Sequence, residues 1–165
     1  MNPLWGILVV NIVALFVVPF LAYRYAHKNN LKMLKEKWIT EVRNASAALV
    51  EACSRLYSAN DSLYQSTSGP TILPDAERKS LQNRRDDAYA EVTGAHAKMR
   101  LLFKDGDGDF RGLESTISGL ISKVDEPVTT GNLRHMDPNA RLQAQGEYLK
   151  KVNNLLHRHW NEITT

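Results

Sequence analysis

Three carboxylates, Asp105, Asp107 and Asp109, alternate with Gly106 and Gly108. That spacing matches the first, third and fifth ligands of an EF-hand calcium loop. The remainder of such a loop is missing, because Phe110 stands where the sharp turn needs Gly and Thr116 stands where a bidentate Glu closes the site. The stretch is a weak metal candidate and reads first as a polar turn, with Asp109 placed to cap the helix that follows.

The other reactive residue types converge less. Of His27, His96, His135, His157 and His159, only the last two are close in sequence. Two residues apart on a helix they point about 200° apart, so they cannot share a metal ion. Cys53 is the only cysteine, so it has no internal disulfide partner, and its place in an apolar helical pattern marks it as a buried, inert thiol. The sequence contains no His-Glu-x-x-His helix, Gly-x-Ser-x-Gly elbow, phosphate-cradling glycine loop or Cys-x-x-Cys pair. The expectation is a chain that is not an enzyme, with no cofactor and no small-molecule substrate. A different chemistry suits Trp38, Arg43 and Trp160, since indole rings and guanidinium groups are the side chains that anchor protein contacts.

These residues need elements to hold them. From Leu4 to Tyr23 the chain carries no charge. Twenty such residues make a helix of roughly 30 Å, the thickness of a hydrocarbon bilayer core. No basic segment precedes the run, which disfavours a cleaved signal peptide. The expectation is a transmembrane anchor over residues 1–25 and a cytosolic helical domain over residues 26–165. Trp5, Tyr23 and Tyr25 would sit at the headgroup level, as amphipathic rings prefer. Arg24, Lys28, Lys32, Lys35 and Lys37 follow, against a single Glu36, so the first 37 residues hold a net +4 and the rest −1. Basic residues beside a span stay on the cytoplasmic side. This predicts a bacterial inner-membrane, single-pass protein with its N-terminus outside. Charge gathered beside the span, and not on a face of the folded part, argues for a lipid bilayer partner and against nucleic acid.

Beyond Lys28 the fold class reads as all-α, an antiparallel bundle of about four helices continuing from the anchor. Trp38, Val42, Ala45, Leu49, Ala52, Leu56, Ala59 and Leu63 recur at alternating steps of four and three, a heptad seam within a helix over 28–66. After a Ser-Thr-Ser-Gly-Pro break, Pro74 opens a helix over 75–104 with Asp75 and Glu77 at its positive end. Its seam is Leu81, Ala88, Val92, Ala95, Met99 and Leu102, interrupted at Arg85, and Arg84-Arg85-Asp86-Asp87 reads as a charged surface. Phe110, Leu113, Ile117, Leu120 or Ile121, and Val124 define a helix over 110–125 that Glu126-Pro127 should stop. Asp137-Pro138 looks like an N-cap and first residue of a last helix over 138–164, with Leu142, Gln145, Leu149, Val152, Leu156, His159 or Trp160, and Ile163 as its stripe. No segment alternates at period two, so no sheet is expected.

Three stretches together carry a likeness: Trp38-Ile39-Thr40-Glu41-Val42-Arg43; Lys98-Met99-Arg100-Leu101-Leu102-Phe103; and Leu149 onward to His159-Trp160-Asn161-Glu162-Ile163. They resemble a group of small bacterial membrane-anchored helical proteins with a Trp-Ile-x-x-Leu-Arg motif, a Lys-Ile-x-Leu-Leu-Leu-Asn-Pro helix end and a terminal Leu-Lys-x-Glu-Trp helix. Here Val42 replaces the motif's Leu, Phe103-Lys104-Asp105 replaces Leu-Asn-Pro, and His159 replaces the Glu before Trp. The group has no established function, so the resemblance implies topology and adds no reaction. The function expected is therefore a scaffold that contacts a protein partner or a second copy of itself. A membrane-acting effector of the phage-lysis or defence type is the alternative, with an enzyme third.

Overall fold

The computed structural model describes residues 18–68, 73–103, 108–129 and 138–164. Four helices fill them: α1, Val18–Ser68; α2, Asp75–Leu101; α3, Gly108–Thr129; and α4, Pro138–Thr164. No strand occurs among the described residues. Each helix has one apolar stripe, and those stripes can leave water only against one another. α1 is the spine and packs against all three others, while α3 and α4 form a hairpin and α2 barely touches α3. Chain directions follow from the cross-contacts. Trp38 meets Leu102 and Arg55 meets Glu91, so α2 runs antiparallel to α1. Asn60 reaches Val124, whereas the Trp38 ring meets His159 and the Tyr57 ring meets Arg141, so α3 runs parallel to α1 and α4 antiparallel.

The seam expected for α1 is the core. Val42, Ala45, Leu49, Ala52, Leu56 and Leu63 are buried, and Trp38 and Ala59 are packed against them. A second stripe, Ile39, Ser46, Cys53 and Asn60, is buried too, because a helix with three neighbours must cover more than one seam. Ala88, Val92 and Met99 of α2 and Phe110, Leu113, Ile117, Leu120 and Val124 of α3 fall inside as their spacing predicts.

Several expectations need correction. The single-pass membrane placement is overturned: among the described residues no helix is long and apolar enough to cross a membrane. Residues 4–17 of the expected span, like the interface residue Trp5, lie outside the described residues. The part that α1 contains, Val18 to Tyr23, would cover only about 9 Å before Arg24 brings a charge. α1 already includes Val18 to His27, so the helix expected over 28–66 continues from the segment before it, as its expected continuity with the preceding run requires. Pro74 is the N-cap of α2 and not its first helical residue, with its carbonyl accepting from Glu77 and Arg78. α3 continues past Glu126-Pro127 to Thr129, since a proline in a final turn removes only one backbone bond. α4 is rotated from its predicted register. Leu142 and Leu149 are exposed, while Tyr148 and Leu155 are buried. Asp137, read as the cap of α4, lies outside the described residues.

Tyr148 is completely buried in the middle of the core, close to Ser46 and Cys53. Among the described residues neither its hydroxyl nor Ser46 Oγ has a hydrogen-bond partner. Burial pushes the Tyr148 hydroxyl up to about 12, against a smaller downward pull from Ser46, and pushes the Cys53 thiol up to about 11. Both groups are neutral when protonated, so a raised folded value means the folded state holds its protons more tightly than the unfolded chain. Their contribution is complete below the unfolded values and is lost as pH rises through the folded ones. Stability should therefore hold up to about pH 8.5 and decline between about pH 9 and 12, by on the order of 1.4 kcal/mol per pH unit for each group. Tyr148→Phe should leave stability at pH 7 within about 0.5 kcal/mol of wild type or raise it, because the hydroxyl it removes has no partner. It should also flatten the alkaline decline relative to wild type. Urea melts of the two proteins at pH 7 and at pH 10.5 measure both effects.

Candidate functional site

The end of the bundle where α2 stops, α3 starts and α4 finishes is built around Trp38. Its indole Nε1 donates to the Leu102 carbonyl at 2.6 Å, satisfying an acceptor at the C-terminal end of α2 that has no partner within its own helix. Its ring meets Phe103 edge-on at 5.5 Å and His159 at 4.8 Å, and Phe103 stacks on Phe110 at 5.1 Å. Four aromatic rings from α1, the end of α2, α3 and α4 thus lock the ends of three segments onto α1. The geometry is the offset and edge-to-face kind that ring quadrupoles favour.

Asp109 ties this cluster to the α3 terminus. It lies inside the first turn of α3 and not at its cap, where a carboxylate complements the helix dipole. Its oxygens reach Arg158 Nη2 at 2.8 Å and His159 Nε2 at 3.6 Å. The pairs are partly exposed and position α4 more than they stabilise it. Nearby, Lys151 Nζ donates to the Gly112 carbonyl at 3.1 Å, a second clasp between α3 and α4. As for the aspartate loop, Asp105 and Asp107 lie outside the described residues, and Asp109 is engaged by basic side chains. Among the described residues no group of three or more His, Cys, Asp or Glu is arranged to hold a metal ion.

Beside this cluster, α1 and α4 leave a groove of ≈ 680 Å³ lined by Glu36, Ile39, Thr40, Arg43, Asn153, Leu156, His157 and Trp160. Arg43 and Trp160, singled out on residue type alone and 117 positions apart by their numbers, therefore share one wall-to-wall cleft. Trp160 is 45% exposed. Arg43 is exposed and forms no ion pair with a described residue. Trp38 belongs to a different layer: it is the packed floor next to the groove, with its only polar atom already bonded. His157 lines the groove with its ring 3.4 Å from Asn161, while His159 faces inward, as their separation on a helix requires. The basic residues that were expected to meet lipid, Arg24, Lys28, Lys32, Lys35 and Lys37, lie on the α1 segment leading to this groove, with Tyr23 and Tyr25 exposed among them.

Residue-type reasoning missed Arg85 and Asp125. Arg85 interrupts the α2 seam and reaches 2.7 Å to Asp125 on α3, with side chains only 16% and 13% exposed. The skipped seam position was the available signal, since an arginine at a core register needs a buried acid. It also missed Asn60, whose Nδ2 donates to the Val124 carbonyl at 2.7 Å inside the core.

No protein-family model matches the chain, and no curated protein or solved structure is similar to it.

Proposed function

We propose that the chain is a helical scaffold that works by protein–protein contact, and that the groove between α1 and α4 is its contact surface. One observation carries the reading: an exposed guanidinium and a half-exposed indole, from helices at opposite ends of the chain, sit in one groove on rigid elements. Tryptophan and arginine are the residues that dominate binding energy at interfaces, and they do so when a pocket beside them can be emptied of water. Holding them on packed helices reduces the ordering cost of association. His157 and Asn153 supply further polar groups that fix the orientation of a partner. The groove presents no arrangement of nucleophile and base, so the reading includes no reaction.

A photoreactive amino acid at Thr40, in the groove, should give a discrete adduct in cells that the same group at Ser62, at the other end of α1, does not give. Arg43→Glu with Trp160→Ala should abolish that adduct and leave the melting temperature within about 2 °C, because both residues are exposed surface. Identical adducts from both positions, or an adduct that survives the double substitution, would overturn the assignment of this groove.

A further inference from the structure

α1 outruns the bundle. Core burial along it begins at Ile39, and α4 ends five residues past the His159 that meets Trp38, so the residues from Val18 to about Lys32 extend roughly 20 Å beyond the ends of α2 and α4. This overhang is not uniformly polar. At about 100° per residue, Phe20, Tyr23, His27, Leu31 and Leu34 fall within an arc of about 80°. The same line continues into Trp38, the first residue that faces the other helices. Leu31 is 48% and Leu34 64% exposed. The interhelical seam of the bundle thus runs on past the point where its partners stop.

The charges beside that stripe say what would cover it. Arg24, Lys28, Lys32 and Lys35 follow one edge and Lys37 lies on the other side, against the single Glu36. Lys28, Lys32 and Lys37 form no ion pair with described residues, and Arg24 rests over the Phe20 ring at 5.9 Å. A second copy would set these like charges against each other along the seam, and flanking charges of this kind decide pairing in coiled coils. A helix with apolar residues at heptad spacing and acidic residues beside them meets both the stripe and its edge.

We infer that the overhang of α1 is a docking helix for an acidic amphipathic helix of a partner protein, which extends the bundle seam from Trp38 to Phe20. The inference rests on the reading of the chain as a contact scaffold and places a second surface next to the α1/α4 groove. The steepness of salt dependence follows from the same charges, which are exposed and screened within about 10 Å at 0.1 M salt.

The probe is a fluorescent peptide of about three heptads with Leu at a and d and Glu at e and g. Titrated with the full chain, it should bind saturably, and Leu31→Ser with Leu34→Ser should weaken it about tenfold or more. These positions are outside the core, so circular dichroism should be unchanged. Lys28→Glu with Lys32→Glu should weaken the Glu peptide and strengthen a peptide with Lys in place of Glu. Arg43→Glu with Trp160→Ala should bind the peptide as wild type does, so that failure of the groove and failure of the overhang are told apart. The inference falls if the serine variant binds equally, or if the Lys peptide binds wild type as well as the Glu peptide. It also falls if the chain forms a dimer that the serine substitutions dissolve, or if only anionic phosphatidylglycerol vesicles, and neither peptide, bind the overhang.

Discussion

Trp38→Ala should destabilise the fold by about 3 kcal/mol, at the lower end of the cost of truncating a large aromatic ring because Trp38 is half-buried. Three losses combine. The ring contacts to Phe103 and His159 disappear, leaving a gap where the ends of α2, α3 and α4 meet α1. The Leu102 carbonyl loses the donor that reaches it at 2.6 Å. His159 loses the surface that orients it toward Asp109. Trp38→Phe separates these contributions, because it keeps most of the packing and removes only the indole donor. It should cost about 1 kcal/mol, the net value of a single hydrogen bond to a half-buried carbonyl. Denaturant melts give both values, and hydrogen exchange should show the last turn of α2 opening first in either variant. Equal destabilisation by Ala and Phe would mean that the hydrogen bond, and not the ring cluster, holds this end of the bundle.

Asp125→Ala should be as damaging through a different cause, costing about 3 kcal/mol. It strands the Arg85 guanidinium at a site where the side chain is only 16% exposed. Removing one member of a buried pair leaves an uncompensated charge away from water, which costs about 3–5 kcal/mol. The low end applies here, since Arg85 keeps Asp86 at 3.1 Å and its place over the Tyr89 ring at 5.4 Å. Replacing both members, Arg85→Met with Asp125→Leu, should recover most of the loss, because two apolar side chains of similar size need neither desolvation nor pairing. The local effect is sharper than the global one. α2 and α3 barely touch elsewhere, so this pair is their main tie. Beside it a groove of ≈ 620 Å³ runs between the two helices past Tyr89, His96 and Ile121. In Asp125→Ala, amide exchange along α2 near Tyr89 should rise more than along α4. A double variant as unstable as the single would show that the charges are not what holds the helices together.

The groove and the overhang share a physical origin. Both exist because α1 is the one helix that serves every other, so it is longer than any partner and its surface is not fully covered. The exposed indole of Trp160 and the exposed stripe from Phe20 to Leu34 are held on elements whose inner faces are already packed, so the proposed contacts would need no movement of the bundle.

Much of this was legible in the order of residues. Four helices, the first residue of α2 and the seams of α1 and α3 all follow from apolar periodicity and the residues that interrupt it. These are local properties, in which each residue's place is decided by neighbours three and four positions away. Tertiary structure alone decided the rest. It set the rotation of α4, which carries Tyr148 inward and Leu149 outward, because a stripe with apolar residues on adjacent positions can face either way until a neighbour selects one. It brought Arg43 to Trp160, Trp38 to Leu102 across 64 positions and Arg85 to Asp125 across 40, since a polar side chain at a core register is satisfied only by whatever distant group the fold delivers. It also ended the expectation of a membrane-crossing helix among the described residues, where α1 holds only Val18 to Tyr23 of the apolar run before the charge at Arg24.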